Sequence, residues 1–81
     1  MALDKVCTIL RAGYNPEGVA QLDLEAQDGT FGRTWFTSDT DSARAILAVA
    51  LAAITTGKAV ECTVDDPATG SHSITGIWVV A

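Results

Sequence analysis

Eighty-one residues make one domain and leave no room for a second, and a chain this short buries only about 60% of its unfolded surface, so its core calls for a staple or a partner chain. Ten acidic side chains against five basic ones give a formal net charge of −5, which excludes a partner bound mainly through phosphates and argues against anionic membrane surfaces, because Lys5, Arg11, Arg33, Arg44 and Lys58 are scattered along the chain. Apolar residues make up 48% of the chain and charged ones 19%, so some apolar surface is expected to be covered by other subunits.

The elements follow in chain order. Met1 leads into Ala-Leu-Asp-Lys without the basic start and apolar run of a signal peptide. The chain is therefore expected to be cytoplasmic, or a mature secreted or periplasmic domain behind an added initiator methionine. Residues 5–11 read as a first strand, β-branched and free of breakers, and the turn chemistry of Gly13 and Asn15-Pro16-Glu17-Gly18 ends it. Residues 19–26 alternate, with Ala20, Leu22, Leu24 and Ala26 on one face and Gln21, Asp23 and Glu25 on the other, which predicts a second strand with one wet face. Asp28-Gly29 predicts a tight hairpin that returns a third strand over residues 30–36, with Phe31 and Phe36 in the core.

Residues 37–41 offer hydroxyls and carboxylates where a helix start needs acceptors, and the spacing predicts a helix over residues 42–56 closed by Gly57. Ala43, Ile46, Leu47, Ala50, Leu51 and Ile54 form its expected core stripe. The opposite side holds Arg44, Ala45, Ala48, Ala52, Thr55 and Thr56 with a single charge, a smooth face that suits packing against another subunit better than water. The stretch of residues 45–54 is too short to span a bilayer, and no membrane insertion is expected. Residues 58–64 read as a fourth strand with Val60, Cys62 and Val64 on one side, and residues 65–70 as a loop. Residues 71–81 read as a fifth strand whose apolar positions Ile74, Ile77 and Val79 slip phase by one, which a bulge around Gly76 would correct. Three strands, a helix and two strands make a mainly β domain, residues 1–81, with the element order of the five-stranded OB-fold barrel, its helix between strands three and four.

Little in the sequence resembles catalytic chemistry. His72 is the one histidine and no nucleophile and orienting acid can be placed beside it, so the chain is expected to be no enzyme. Asp65-Asp66 near His72 and the Asp39-Thr40-Asp41 stretch fall short of metal-ligand sets and read as a solvated turn and a helix cap; no metal and no cofactor are expected. Cys7 and Cys62 fall on strands one and four, which lie side by side in this fold, and two readings stand: a pair of buried thiols, or a disulfide closing a loop of about 55 residues, worth roughly 4 kcal/mol. Trp78, between Ile77 and Val79, should point outward on the last strand and anchor an interface.

Residues 42–62, a long alanine-rich helix ending in a glycine turn and running straight into a strand with the second cysteine, resemble the helix and following strand of the B subunits of bacterial AB5 toxins. His72-Ser-Ile74-Thr-Gly-Ile77 is similar to the His-x-Ile-x-x-Ile closing strand of the cholera-like members. The motifs cover about half the chain and the element order nearly all of it. The resemblance implies a Cys7–Cys62 disulfide and a non-catalytic homopentameric ring that binds cell-surface glycans and delivers an A subunit. It also implies strand pairing between subunits through Trp78 and Val80, helix packing through Ala45, Ala48 and Ala52, and Arg44 toward the pore. Val64 stands where cholera-like subunits carry a galactose-stacking tryptophan, so a glycan site here would be built differently, from Tyr14, Asn15, Trp35 and Ser38. The alternative is a structural or regulatory ring that binds a protein or small molecule.

Overall fold

A computed structural model describes residues 2–80. Strand β1 (Ala2–Tyr14) is longer than its sequence signal, because its two halves pair with different neighbours. Its first half runs antiparallel to β4 (Val60–Asp65), from Ala2 opposite Asp65 to Cys7 opposite Val60. Its second half runs antiparallel to β2 (Ala20–Ala26), from Cys7 opposite Ala26 to Tyr14 opposite Ala20, with a bulge between Ile9 and Arg11. One strand shared between two half-sheets, bent at a bulge, curls the sheet around its core. β3 (Thr34–Thr37) pairs with β2, β5 (Ile74–Val79) pairs with β4, and the order across the sheet is β3-β2-β1-β4-β5. The two outer strands meet at one parallel bridge, Thr37 to Ser73, where the Thr37 N–H donates to the His72 carbonyl at 2.8 Å.

The predicted tight hairpin after Ala26 is replaced by a wider loop. Asp28 accepts from the Thr30 N–H at 2.9 Å, and the Ala26 N–H reaches the Phe31 carbonyl at 3.2 Å. Phe31 folds back into the core with its ring centroid 5.3 Å from that of Phe36. Burying Phe31 against Phe36 outweighs continuing the ladder, so β3 starts only at Thr34. The phase slip of the last strand is resolved as expected by a bulge: Thr63 faces Gly76 and Val64 faces Ile74, which leaves Thr75 as the extra residue. Ala81, the expected end of that strand, lies outside the described residues.

Helix α1 (Ala43–Thr56) connects β3 to β4 and packs on β1, β2 and β5. Asp39 prepares its entry by accepting from the Ser42 N–H at 2.8 Å and from the Ser42 hydroxyl, and these hydrogen bonds hold the Asp39 carboxyl below its ordinary value. The Ser42 side chain makes no cap bond of its own. Gly57, at a φ of 70°, closes the helix with its N–H on the Ala53 and Ile54 carbonyls, a left-handed turn that costs any other residue more. The buried stripe is Ala43, Ile46, Ala50 and Ala53, rotated from the expected one. Alanines at three of these positions let the helix sit close to the sheet. Leu51 and Ile54, expected in the core, are left on the flank at 48% and 43% exposure. The core itself joins these helix residues to Leu22, Leu24, Phe36, Val60, Val64 and Ile74.

Candidate functional site

The outward face of the sheet carries two rows that each end in a tryptophan. Register puts Arg11 of β1, Asp23 of β2 and Trp35 of β3 side by side. The Arg11 guanidinium carbon sits 4.9 Å from the Trp35 ring centroid, so the arginine reaches across the strand between them and stacks on the indole. Asp23 lies under that bridge and is fully buried, although the alternation of β2 places it on the wet side. Its Oδ2 accepts from Arg33 Nε, whereas its Oδ1 has no hydrogen-bond partner. A buried carboxylate oxygen without a donor is costly, and few native groups are left in that state.

Beside this row, Arg11, Ala12, Gly13, Tyr14, Gln21 and Trp35 line a groove of about 280 Å³. No acidic side chain lines it. Tyr14 and Trp35 are 52% and 41% exposed and offer ring surface to it. Of the four residues proposed from sequence, these two are brought together. The other two are used by the fold: Asn15 Oδ1 accepts from the Glu17 and Val19 N–H groups at 3.0 and 3.3 Å and so builds the turn after β1. Ser38 is buried, accepts from the Ala20 N–H at 3.0 Å and donates to the Asp39 carbonyl at 2.9 Å. Sequence reasoning missed Arg11, Gln21 and the Asp23–Arg33 pair. The alternation of β2 marked Gln21 and Asp23 as outward, but nothing in it located the bulge at Leu10 that brings Arg11 into their row.

The second row is Val6 of β1, Glu61 of β4 and Trp78 of β5. Trp78 points outward as expected, is 55% exposed, and lays its ring over Gly76: a Cβ on Gly76 would stand 2.9 Å from the ring. The other proposed interface positions, Val80, Ala45, Ala48 and Ala52, are exposed, as is Arg44.

The disulfide between Cys7 and Cys62 is not formed, and both cysteines are free, buried thiols. Cys7 stands opposite Val60, and Cys62 opposite Lys5, so the pair is diagonal on the ladder rather than directly opposed. Diagonal neighbours sit roughly 7–8 Å apart, at or beyond the usual Cα span of a disulfide. The neighbouring Cys7 thiol together with burial pushes Cys62 above the ordinary thiol value. Cys7 donates to the Lys5 carbonyl at 3.5 Å.

The acidic stretches weighed as metal ligands act as local caps. Asp66 accepts from the Ala68 N–H at 3.0 Å and starts a short turn over Pro67–Thr69, and Asp65 accepts from the Ser71 hydroxyl at 2.6 Å. Among the described residues no three histidine, cysteine or carboxylate side chains converge, and no helix is long and apolar enough to cross a membrane. No protein-family model matches this chain, and neither does a curated protein or a solved structure.

Proposed function

We propose that this chain is a non-catalytic glycan-binding subunit that works as a ring of identical copies, five by analogy with the AB5 B subunits it resembles, on a barrel of the OB type. The observation that carries the reading is the outer side of α1. Leu51 and Ile54 stand nearly half exposed on its flank, Ala45, Ala48 and Ala52 are exposed on its far side, and Arg44 is the only charged residue of the helix. A lone surface helix normally turns a charged face to water. Covering the exposed parts of Leu51 and Ile54 with a neighbour contributes about 1 kcal/mol each.

Three further features support it. β5 is an edge strand, with Trp78 exposed on it and Val80 exposed just past its end, and an exposed apolar edge of this kind is usually protected by pairing. The Thr37–Ser73 bridge brings the far edge of the sheet to the approach of β5, which is where an OB-type barrel closes. The Tyr14–Trp35 groove supplies the aromatic faces on which sugar rings stack.

Native mass spectrometry at micromolar concentration tests the assembly, with five-fold mass and fully reduced cysteines expected; a monomer would remove the reading's physical support. A glycan array on the assembled protein tests the ligand. The second reading, a structural or regulatory ring for a protein or small molecule, is favoured by one observation, the free Cys7 and Cys62, which fit a reducing compartment. A ring that is silent on the array would select it.

A further inference from the structure

The groove at Trp35 is lined by a cation and by no acidic side chain. Among the described residues the ion pairs are Lys5–Asp28 and Arg33–Asp23, which leaves Arg11 without a carboxylate although Asp23 is its neighbour in the row. Asp23 is already engaged by Arg33, so the Arg11 charge stands free at a groove that two exposed aromatic residues, Tyr14 and Trp35, also line. The Arg11 guanidinium also covers the Trp35 face that a ligand ring would use.

We infer that the ligand of this groove is a sugar ring bearing a carboxylate, and that Arg11 is both its plug and its receptor. This rests on the glycan-binding reading above. In the free protein the guanidinium rests on Trp35, holding its planar fork against the indole. On binding, the sugar ring takes its place on Trp35, beside Tyr14 and Gln21, and Arg11 turns to grip the carboxylate with two parallel N–H bonds, the pairing its fork geometry suits. A neutral sugar must displace Arg11 and gives it no anion in return. The volume of about 280 Å³ lies at the lower bound of ligand sites and suits a single ring. A phosphate polymer is disfavoured because Arg11 is the one cation among the residues that line the groove and the chain as a whole is acidic.

The test is titration of the assembled wild-type protein with glucuronic acid and with glucose, two pyranoses that differ at the carboxylate. Binding is followed by NMR at the Trp35 indole N–H, assigned with Trp35→Phe, and at the Arg11 Nε–H. Glucuronic acid is expected to bind about ten-fold more tightly than glucose, the gain of a charge-assisted contact. In Arg11→Gln the two sugars should bind alike, with glucose bound more tightly than by wild type because the indole is uncovered. Equal affinities in wild type, or a preference for glucuronic acid that survives Arg11→Gln, would overturn the assignment of Arg11 and leave the glycan reading standing. Binding of neither sugar would defeat that reading and the inference together. Tighter, steeply salt-dependent binding of a thymidine oligonucleotide would replace the sugar by a nucleic acid.

Discussion

The two tryptophans occupy matching places and have opposite surroundings. Each closes an outward three-strand row, and each stands on an edge strand, Trp35 on β3 and Trp78 on β5. Trp35 is set in charge: Arg11 stacks on it, Asp23 is buried beside it, and Arg33 neutralises Asp23 from the rim. Trp78 has only the exposed Glu61 beside it and lies over a glycine. Among the described residues neither ion pair draws a residue from α1, β4 or β5, although Lys5 and Asp28 line a groove with Glu61 of β4. A tryptophan stacked by a cation is oriented for a small ligand, whereas one that no cation covers contributes mainly area, which is what an interface uses. On the proposed function, the same residue type would serve recognition on one edge and assembly on the other.

The largest effect expected from this division is on assembly. Trp78→Ala should shift the ring toward monomers, weakening subunit association by about 2 kcal/mol or more per contact as hot-spot aromatics do, and native mass spectrometry over a dilution series reads the change. Trp35→Ala should leave the mass unchanged and abolish binding on the glycan array. If Trp35→Ala dissociates the ring and Trp78→Ala does not, the two roles are reversed.

The next effect separates the middle residues of the two rows. Asp23→Ala removes a buried, charge-paired carboxylate and should lower stability in urea by about 1–3 kcal/mol. The loss stays in that range because Arg33 is largely exposed and is rehydrated when left alone. Glu61→Ala, at the matching position beside Trp78, should change stability by no more than about 0.5 kcal/mol, since Glu61 is exposed. Equal losses would mean that the polar frame around Trp35 adds nothing to the fold.

Much of this was legible in the sequence, for a physical reason. Period-two alternation placed Ala20, Leu22, Leu24 and Ala26 inside, Gly57 stopped the helix, and the phase slip at Gly76 announced the bulge. Each is a local signal with a local cause. What escaped depended on pieces distant in the chain. The helix stripe was read from hydrophobicity, but small side chains set how closely the helix approached the sheet, which left Leu51 and Ile54 outside. The polar side of β2 was read as wet, and Asp23 became dry only because β1 supplied Arg11 and β3 supplied Trp35 across it. The tight turn at Asp28-Gly29 gave way to the burial of Phe31. The cysteines were placed on the right strands, and a two-residue offset in register kept them from bonding.

A smaller effect belongs to Trp78 itself. In Gly76→Ala the new methyl would meet the indole at 2.9 Å and Thr63 Oγ1 at 3.3 Å, so the ring must swing off the strand. The expected cost is about 1 kcal/mol. In a Trp35→Phe background, acrylamide should quench Trp78 more strongly than before. Unchanged quenching would mean that the ring does not rest on Gly76 in solution.

The smallest effect is on acid stability, and it falls on the Lys5–Asp28 pair, which lines a groove with Val6 and Glu61 of the Trp78 row. Asp28 accepts from the Thr30 hydroxyl, the Lys5 ammonium at 2.9 Å and the Thr30 N–H, and these contacts hold its carboxyl well below the usual range. Such a group binds its proton more readily in the unfolded chain, so its contribution is complete above the ordinary aspartate value of about 4 and is lost as pH falls toward the folded-state value. Asp28 is exposed and solvent screens the pair, so the change is a modest drop in melting temperature. Melts from pH 7 to pH 2 should show wild type above Asp28→Asn at neutral pH, with the two curves converging in acid. Trp78→Ala, which removes no titrating group, should retain the acid slope of wild type under conditions where both are monomeric. If Asp28→Asn keeps the full wild-type slope, the Lys5–Asp28–Thr30 contacts are not what ties the fold to pH.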